Sequence, residues 1–88
     1  MPFYRKKFIV QAEQWYPGLH VNGVVALPSH VADRLASTKG LAWIETLEGG
    51  HIVSSGDWIV TGIQGEKHPV KDDIFRATYE LVEDTVHA

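Results

Sequence analysis

Apolar and polar positions alternate along much of the chain, broken by glycine and proline at short intervals. From Lys7 to Trp15 the sequence is rich in Phe, Ile, Val and Trp and stops before Pro17-Gly18, a pair that halts regular structure. This predicts a first strand over 7–15. Phe8, Val10 and Ala12 share one face, with Ile9, Gln11, Glu13 and Trp15 on the other, so one side is core and the other half covered. A central position for this strand stays open. Residues 16–23 carry Pro17, Gly18, Asn22 and Gly23 and read as a loop.

Pro28-Ser29 opens the best helical pattern. Ser29 can cap free amides, Val31 and Leu35 are spaced i,i+4, and Gly40 follows as a stop, which predicts a main helix over 29–38. Its stripe of Val31, Ala32, Leu35 and Ala36 is narrow, as suits a helix lying on a sheet. Beyond Gly40 the period shortens. Leu41 to Leu47 alternates, and Gly49-Gly50 supplies the positive φ values of a tight hairpin that returns through His51–Ser54. Gly56-Asp57 turns the chain again into Trp58–Thr61, and Gln64-Gly65 leads to a short strand over 66–70, giving an antiparallel meander. Pro69 has no amide hydrogen to give a ladder, which places that strand at a sheet edge. Asp72 or Asp73 can cap a helical turn over 73–77 before Thr78–Val82 resumes a strand, and the tail from Glu83 reads as frayed.

The expected fold class is therefore α+β. It is one domain over 1–88, with a small antiparallel sheet that is strongly twisted or barrel-like, one main helix (29–38) and one short helical turn (73–77). A chain of 88 residues buries only about 60 to 65% of the surface its unfolded form exposes, so one core is expected and self-association into a homo-oligomer would add to a thin stability margin. Three Trp, three Tyr and three Phe supply that core. The absence of cysteine removes disulfides and thiolate metal sites, so packing must hold the fold. Apart from the charges of Arg5-Lys6-Lys7, the amino-terminal segment has only Phe8-Ile9-Val10 before Gln11, so neither a signal peptide nor a membrane span is expected. A net charge of −3 has the wrong sign for binding nucleic acid by counterion release, with Arg5-Lys6-Lys7 the local exception.

One block is more specific than its composition. Gly56-Asp57-Trp58-Ile59-Val60, Gly62, Gly65-Glu66, Pro69-Val70-Lys71, Asp73-Ile74-Phe75 and Thr78-Tyr79-Glu80 together resemble a family of small phage and prophage proteins. The resemblance extends upstream to Arg5-Lys6-Lys7, Ala12, Gln14-Trp15 and Thr46-Leu47-Glu48-Gly49 but not through the middle loop and helix. Ser55 and Asp72 depart from it, each at a turn position where members of that family carry proline. It implies a phage or prophage gene product acting in the cytoplasm of a bacterial host, and it carries neither an activity nor catalytic residues.

Each candidate for chemistry has a structural reading beside it. Asp57 is an acid, a metal ligand or a turn residue, and turn aspartates commonly bond nearby backbone amides. Trp58 is a stacking platform or a packed strand aromatic. His20, His30, His51, His68 and His87 lack i,i+4 spacing, so no metal and no cofactor is expected. His68 with Glu66, Asp57 or Asp73 would make an acid/base pair if folding brought them within reach. There is no phosphate-cradling loop and no nucleophile elbow, so the chain is read as not an enzyme. The candidate binding residues are Arg5, Lys6, Lys7, Glu66, Lys67, His68, Lys71 and Arg76, charged groups on loops or a strand edge where a partner protein could meet them. The leading expectation is a non-enzymatic phage-type module that binds a host or phage protein. The alternative is a small-ligand or nucleotide binder with a groove lined by Trp15, Trp43, Trp58 and Arg76.

Overall fold

The computed structural model describes residues 2–4 and 9–82. Among the described residues six strands form two three-stranded antiparallel sheets rather than one, and neither closes into a barrel. The first sheet has the order β1 (Gln11–Gln14), β5 (Trp58–Thr61), β6 (Lys67–Val70), and the second has β2 (Val24–Val25), β3 (Leu41–Thr46), β4 (Gly49–Ser54). The expected α+β character holds broadly, with little helix: α1 covers Ser29–Ala32 and α2 covers Asp72–Thr78.

The strand pattern is set by which faces are buried. Ala42 and Ile44 of β3, Val53 of β4, Ile59 of β5, and Trp15 and Val21 from the connections make one cluster, so the core lies between the sheets. Val60 is also buried, on the face of β5 opposite Ile59, which is why this central strand is apolar on both sides. On the outer face of the second sheet Val25, Trp43 and Ile52 stand in one cross-strand row.

Several expectations need correction. The helix expected over 29–38 is a single turn, Ser29–Ala32. Pro28 stands at its N-cap without a side-chain cap, and the Arg34 and Leu35 amides then bond carbonyls only three residues back. A four-position stripe offers too little burial to propagate the helix past its nucleus. The longer helix is α2, which takes in the expected turn with Asp72 and Thr78 as well, and its N-cap is Lys71, without a side-chain cap, rather than either aspartate. The strand expected over 78–82 is absent: the Tyr79 amide bonds the Phe75 carbonyl and its ring stacks on Phe75, so helical contacts claim this residue. The first strand, expected from residue 7, is observed from Gln11, and β2 was not expected at all. Arg5, Lys6, Lys7, the start of the first strand and the tail from Glu83 lie outside the described residues.

Two turns decide the topology. The hairpin tip is Leu47-Glu48 and not Gly49-Gly50: Thr46 pairs with Gly49, and the Thr46 hydroxyl donates to the Gly49 carbonyl at 2.7 Å. Gly50 serves a different purpose, since the Trp43 indole lies where a β-carbon would stand. The expected continuous meander breaks between β4 and β5. There Gly56 adopts φ +90°, a value that favours glycine, and the chain leaves one sheet for the other.

Candidate functional site

The turn at that crossing is held by Asp57, only 3% exposed. Its Oδ2 accepts from the Ser54 amide at 2.9 Å and the Ser54 hydroxyl at 3.3 Å, and Lys71 Nζ donates to both carboxylate oxygens at 3.1 and 3.2 Å. Both oxygens of this buried carboxylate therefore have hydrogen-bond partners. The turn reading of Asp57 describes this geometry, although the bond runs back to Ser54 rather than forward along the chain.

Asp72 forms a second network beside it. Its Oδ1 accepts from the Trp58 indole at 2.8 Å, from Arg76 Nε at 2.9 Å and from Gln14 Nε2 at 3.2 Å, so one carboxylate joins β1, β5 and α2. The Trp58 bond, then Arg76 and Gln14, hold its carboxyl below the ordinary 3.8 against a desolvation effect in the other direction. Trp58 stacks on Phe75 with ring centroids 4.1 Å apart and planes 8° from parallel, and Phe75 stacks in turn on Tyr79 at 4.9 Å. Trp58 is thus a packed strand aromatic, with the Arg76 guanidinium 6.0 Å from its ring centre.

Lys71 and Arg76, both expected at a binding surface, are therefore engaged on their own chain. Glu66, Lys67 and His68 are placed differently. They and Pro69 form one wall of a cleft of about 430 Å³, whose opposite wall is the β3–β4 hairpin with Leu47, Glu48 and His51. This falls within the range of roughly 300 to 1,000 Å³ typical of ligand pockets. Glu48 and His51 were not among the expected site residues, because only the hairpin register brings them opposite β6.

The backbone of β6 gives this cleft its character. The Gly62 amide donates to the Glu66 carbonyl at 2.8 Å, which makes that a bonded pair. Antiparallel ladders alternate bonded and non-bonded pairs. Val60 with His68 and Trp58 with Val70 therefore exchange bonds, while Thr61 with Lys67 and Ile59 with Pro69 point theirs away from each other. On the far side of β5 the Trp15 amide donates to the Asp57 carbonyl at 2.7 Å, the phase this alternation requires. So Pro69 lacks its N–H on the open edge, where the ladder loses nothing, as its predicted edge position implies. The Lys67 N–H and the Lys67 and Pro69 carbonyls face outward, and among the described residues none has a backbone partner. β6 runs beside β3 and β4 without pairing to either.

Other groupings weighed from the sequence do not assemble. Trp15 is in the core, Trp43 lies over Gly50, and Trp58 is stacked on Phe75, so these three do not share a groove with Arg76. Of the carboxylates considered for His68, Asp57 is committed to Ser54 and Lys71, and Asp73 Oδ1 accepts from the Ile74 amide; Glu66 alone shares the cleft. Among the described residues no three metal-ligating side chains gather, and no helix is long and apolar enough to cross a membrane. Comparison with protein-family models, curated proteins and solved structures finds no match to this chain.

Proposed function

We propose that this chain is a small non-enzymatic binding module of phage type, acting in a bacterial cytoplasm on a host or phage protein. The observation that carries the reading is the cleft between β6 and the exposed tip of the β3–β4 hairpin. A cleft bordered by an exposed turn is a surface that a partner can meet without rearrangement of the core. The exposed side chains there are Leu47, Glu48, His51 and His68, with Lys67 and Glu66 half-buried. Catalysis is not favoured by this arrangement, since Glu66 Oε1 is already bonded to the Gln64 amide at 2.9 Å and Lys67 Nζ to the Thr61 hydroxyl at 2.8 Å.

The test is site-specific photocrosslinking in bacterial cells, with a benzophenone side chain placed in turn at Leu47, His68 and Arg34. Arg34 is exposed in the turn after α1 and lies outside the cleft. A discrete protein adduct from positions 47 and 68, absent from 34, is expected. No adduct, or the same adducts from all three positions, overturns the reading.

A further inference from the structure

Asn22 is the only asparagine in the chain, and a glycine follows it. Both residues are exposed in the turn between buried Val21 and β2. Across this turn the Val24 amide donates to the Val21 carbonyl at 3.0 Å. Gly23 has φ +96° and Asn22 a negative φ, the pattern of a type II turn. Glycine is required at 23 twice over, by that φ and because Lys67 Cδ lies 2.8 Å from where a β-carbon would stand. With no side chain on residue 23, nothing on that residue shields the Asn22 carboxamide from the next backbone nitrogen, and among the described residues the Gly23 amide has no backbone partner. We propose that Asn22 is a modification site, which deamidates without an enzyme at a rate gated by opening of the turn before β2.

The Gly23 nitrogen gives up its proton to solvent and attacks Asn22 Cγ. A nitrogen–carbon bond forms, the Cγ–Nδ2 bond breaks, and Nδ2 takes up a proton and leaves as ammonia. Water then opens the five-membered imide at one or other carbonyl, giving an aspartyl or an isoaspartyl product, and nothing is oxidised or reduced. The type II turn holds its second residue at ψ of about +120°, where the Gly23 nitrogen points away from the Asn22 β-carbon. Ring closure needs these two nearly eclipsed, so it waits until the Val24–Val21 bond breaks. β2 is two residues long and lies at the edge of its sheet, so it is an element that opens locally. The isoaspartyl product puts one more carbon in the main chain between Val21, fixed in the core, and Val24, registered opposite Ile44, which prevents the turn from closing as before. Either product sets a new carboxylate one residue from Gly23, against which the Lys67 stem lies, whatever partner the cleft meets.

The full chain is held in mildly alkaline buffer, native and in guanidinium chloride, and its peptides are mapped by mass over time. The peptide containing Asn22 should gain about 1 Da and resolve into two products, and unfolding should speed the gain roughly tenfold or more by removing the gate. Gln64-Gly65 would have to close a larger ring and should stay unchanged over the same time. Hydrogen exchange then reads the consequence. The isoaspartyl form should lose protection at the Val24 amide, whereas Asn22→Asp, which carries the new charge on an unaltered main chain, should keep it. No gain in the native chain long after the unfolded chain has reacted to completion, or an earlier gain at Gln64, overturns the site. Equal rates in the two states overturn the gate, as does an isoaspartyl form whose Val24 amide stays protected.

Discussion

Replacing Asp57 by alanine probes the joint where the chain passes from one sheet to the other. The substitution removes the acceptor of the half-buried Ser54 amide and the partner of Lys71 Nζ. The two losses differ in size. A hydrogen bond to a buried charged acceptor contributes about 1.5 to 3 kcal/mol, whereas the Lys71 side chain is 59% exposed and its ammonium rehydrates, so the ion pair itself contributes about 0 to 1 kcal/mol. Asp57→Ala should therefore cost about 2 to 3 kcal/mol. That is a large part of a total of roughly 4 to 13 kcal/mol expected for a chain of this length. Asp57→Asn keeps an oxygen for the Ser54 amide and should cost about 1 kcal/mol, and Lys71→Met no more than about 1 kcal/mol. Urea unfolding followed by tryptophan fluorescence measures the series, and each kcal/mol should lower Tm by roughly 4 to 8 °C. If Lys71→Met destabilises as much as Asp57→Ala, the ion pair and not the turn bond holds the joint, and the reasoning fails.

Three further outcomes are expected. Asp72 has its carboxyl lowered by Trp58 and Arg76, so in acid the unfolded state binds more protons than the folded one. Its contribution to stability is thus complete above the ordinary 3.8 and is lost as pH falls through the lower folded value; Asp72→Asn should flatten the acid limb of a plot of Tm against pH, and an unchanged limb would count against the network. Gly50→Ala places a methyl group where the rigid Trp43 indole lies and should cost about 1 to 3 kcal/mol with a red shift in tryptophan emission, while Gly62→Ala meets the end of Glu66, which can move aside at the cost of its bond to the Gln64 amide, and should cost about 1 kcal/mol. Phe75→Ala removes the middle ring of the Trp58–Phe75–Tyr79 stack; being half-buried, Phe75 should cost about 2 to 3 kcal/mol, with loss of near-ultraviolet circular dichroism as the second signature.

What the sequence reveals follows from which interactions are local. Trp58–Thr61 and Leu41–Thr46 are legible because their alternation or continuous burial is written in neighbouring residues. Pro69 announces an edge because the missing donor belongs to that residue alone. β2 is not legible: two valines after Gly23 become a strand only because β3 stands beside them. The division into two sheets is equally hidden, since it depends on the direction in which Gly56 and the buried Asp57 send the chain. Half of the cleft was legible for the same reason. Glu66, Lys67 and His68 are recognisable as a polar run at an edge, whereas Glu48 and His51 join them only through the hairpin register, and two adjacent glycines at 49 and 50 draw attention away from Leu47-Glu48 as the true tip. Lys71 and Arg76 look like the same kind of exposed cation until Asp57 and Asp72 are seen to hold them.

Those two cations still bear on the cleft, through the stiffness of β6. At its start the Gly62–Glu66 bond and the Glu66 carboxylate on the Gln64 amide close the turn tightly. At its end Lys71 is tied to Asp57, and the next residue, Asp72, is tied to β1 and β5 at once. A short edge strand clamped at both ends has little conformational freedom left to lose, so a partner meeting the cleft would be opposed mainly by its own ordering. The block from Gly56 to Glu80 then has one consistent logic. Its charged pairs fix the ends of the strand, and its outward backbone, with one donor removed by proline, has no backbone partner among the described residues.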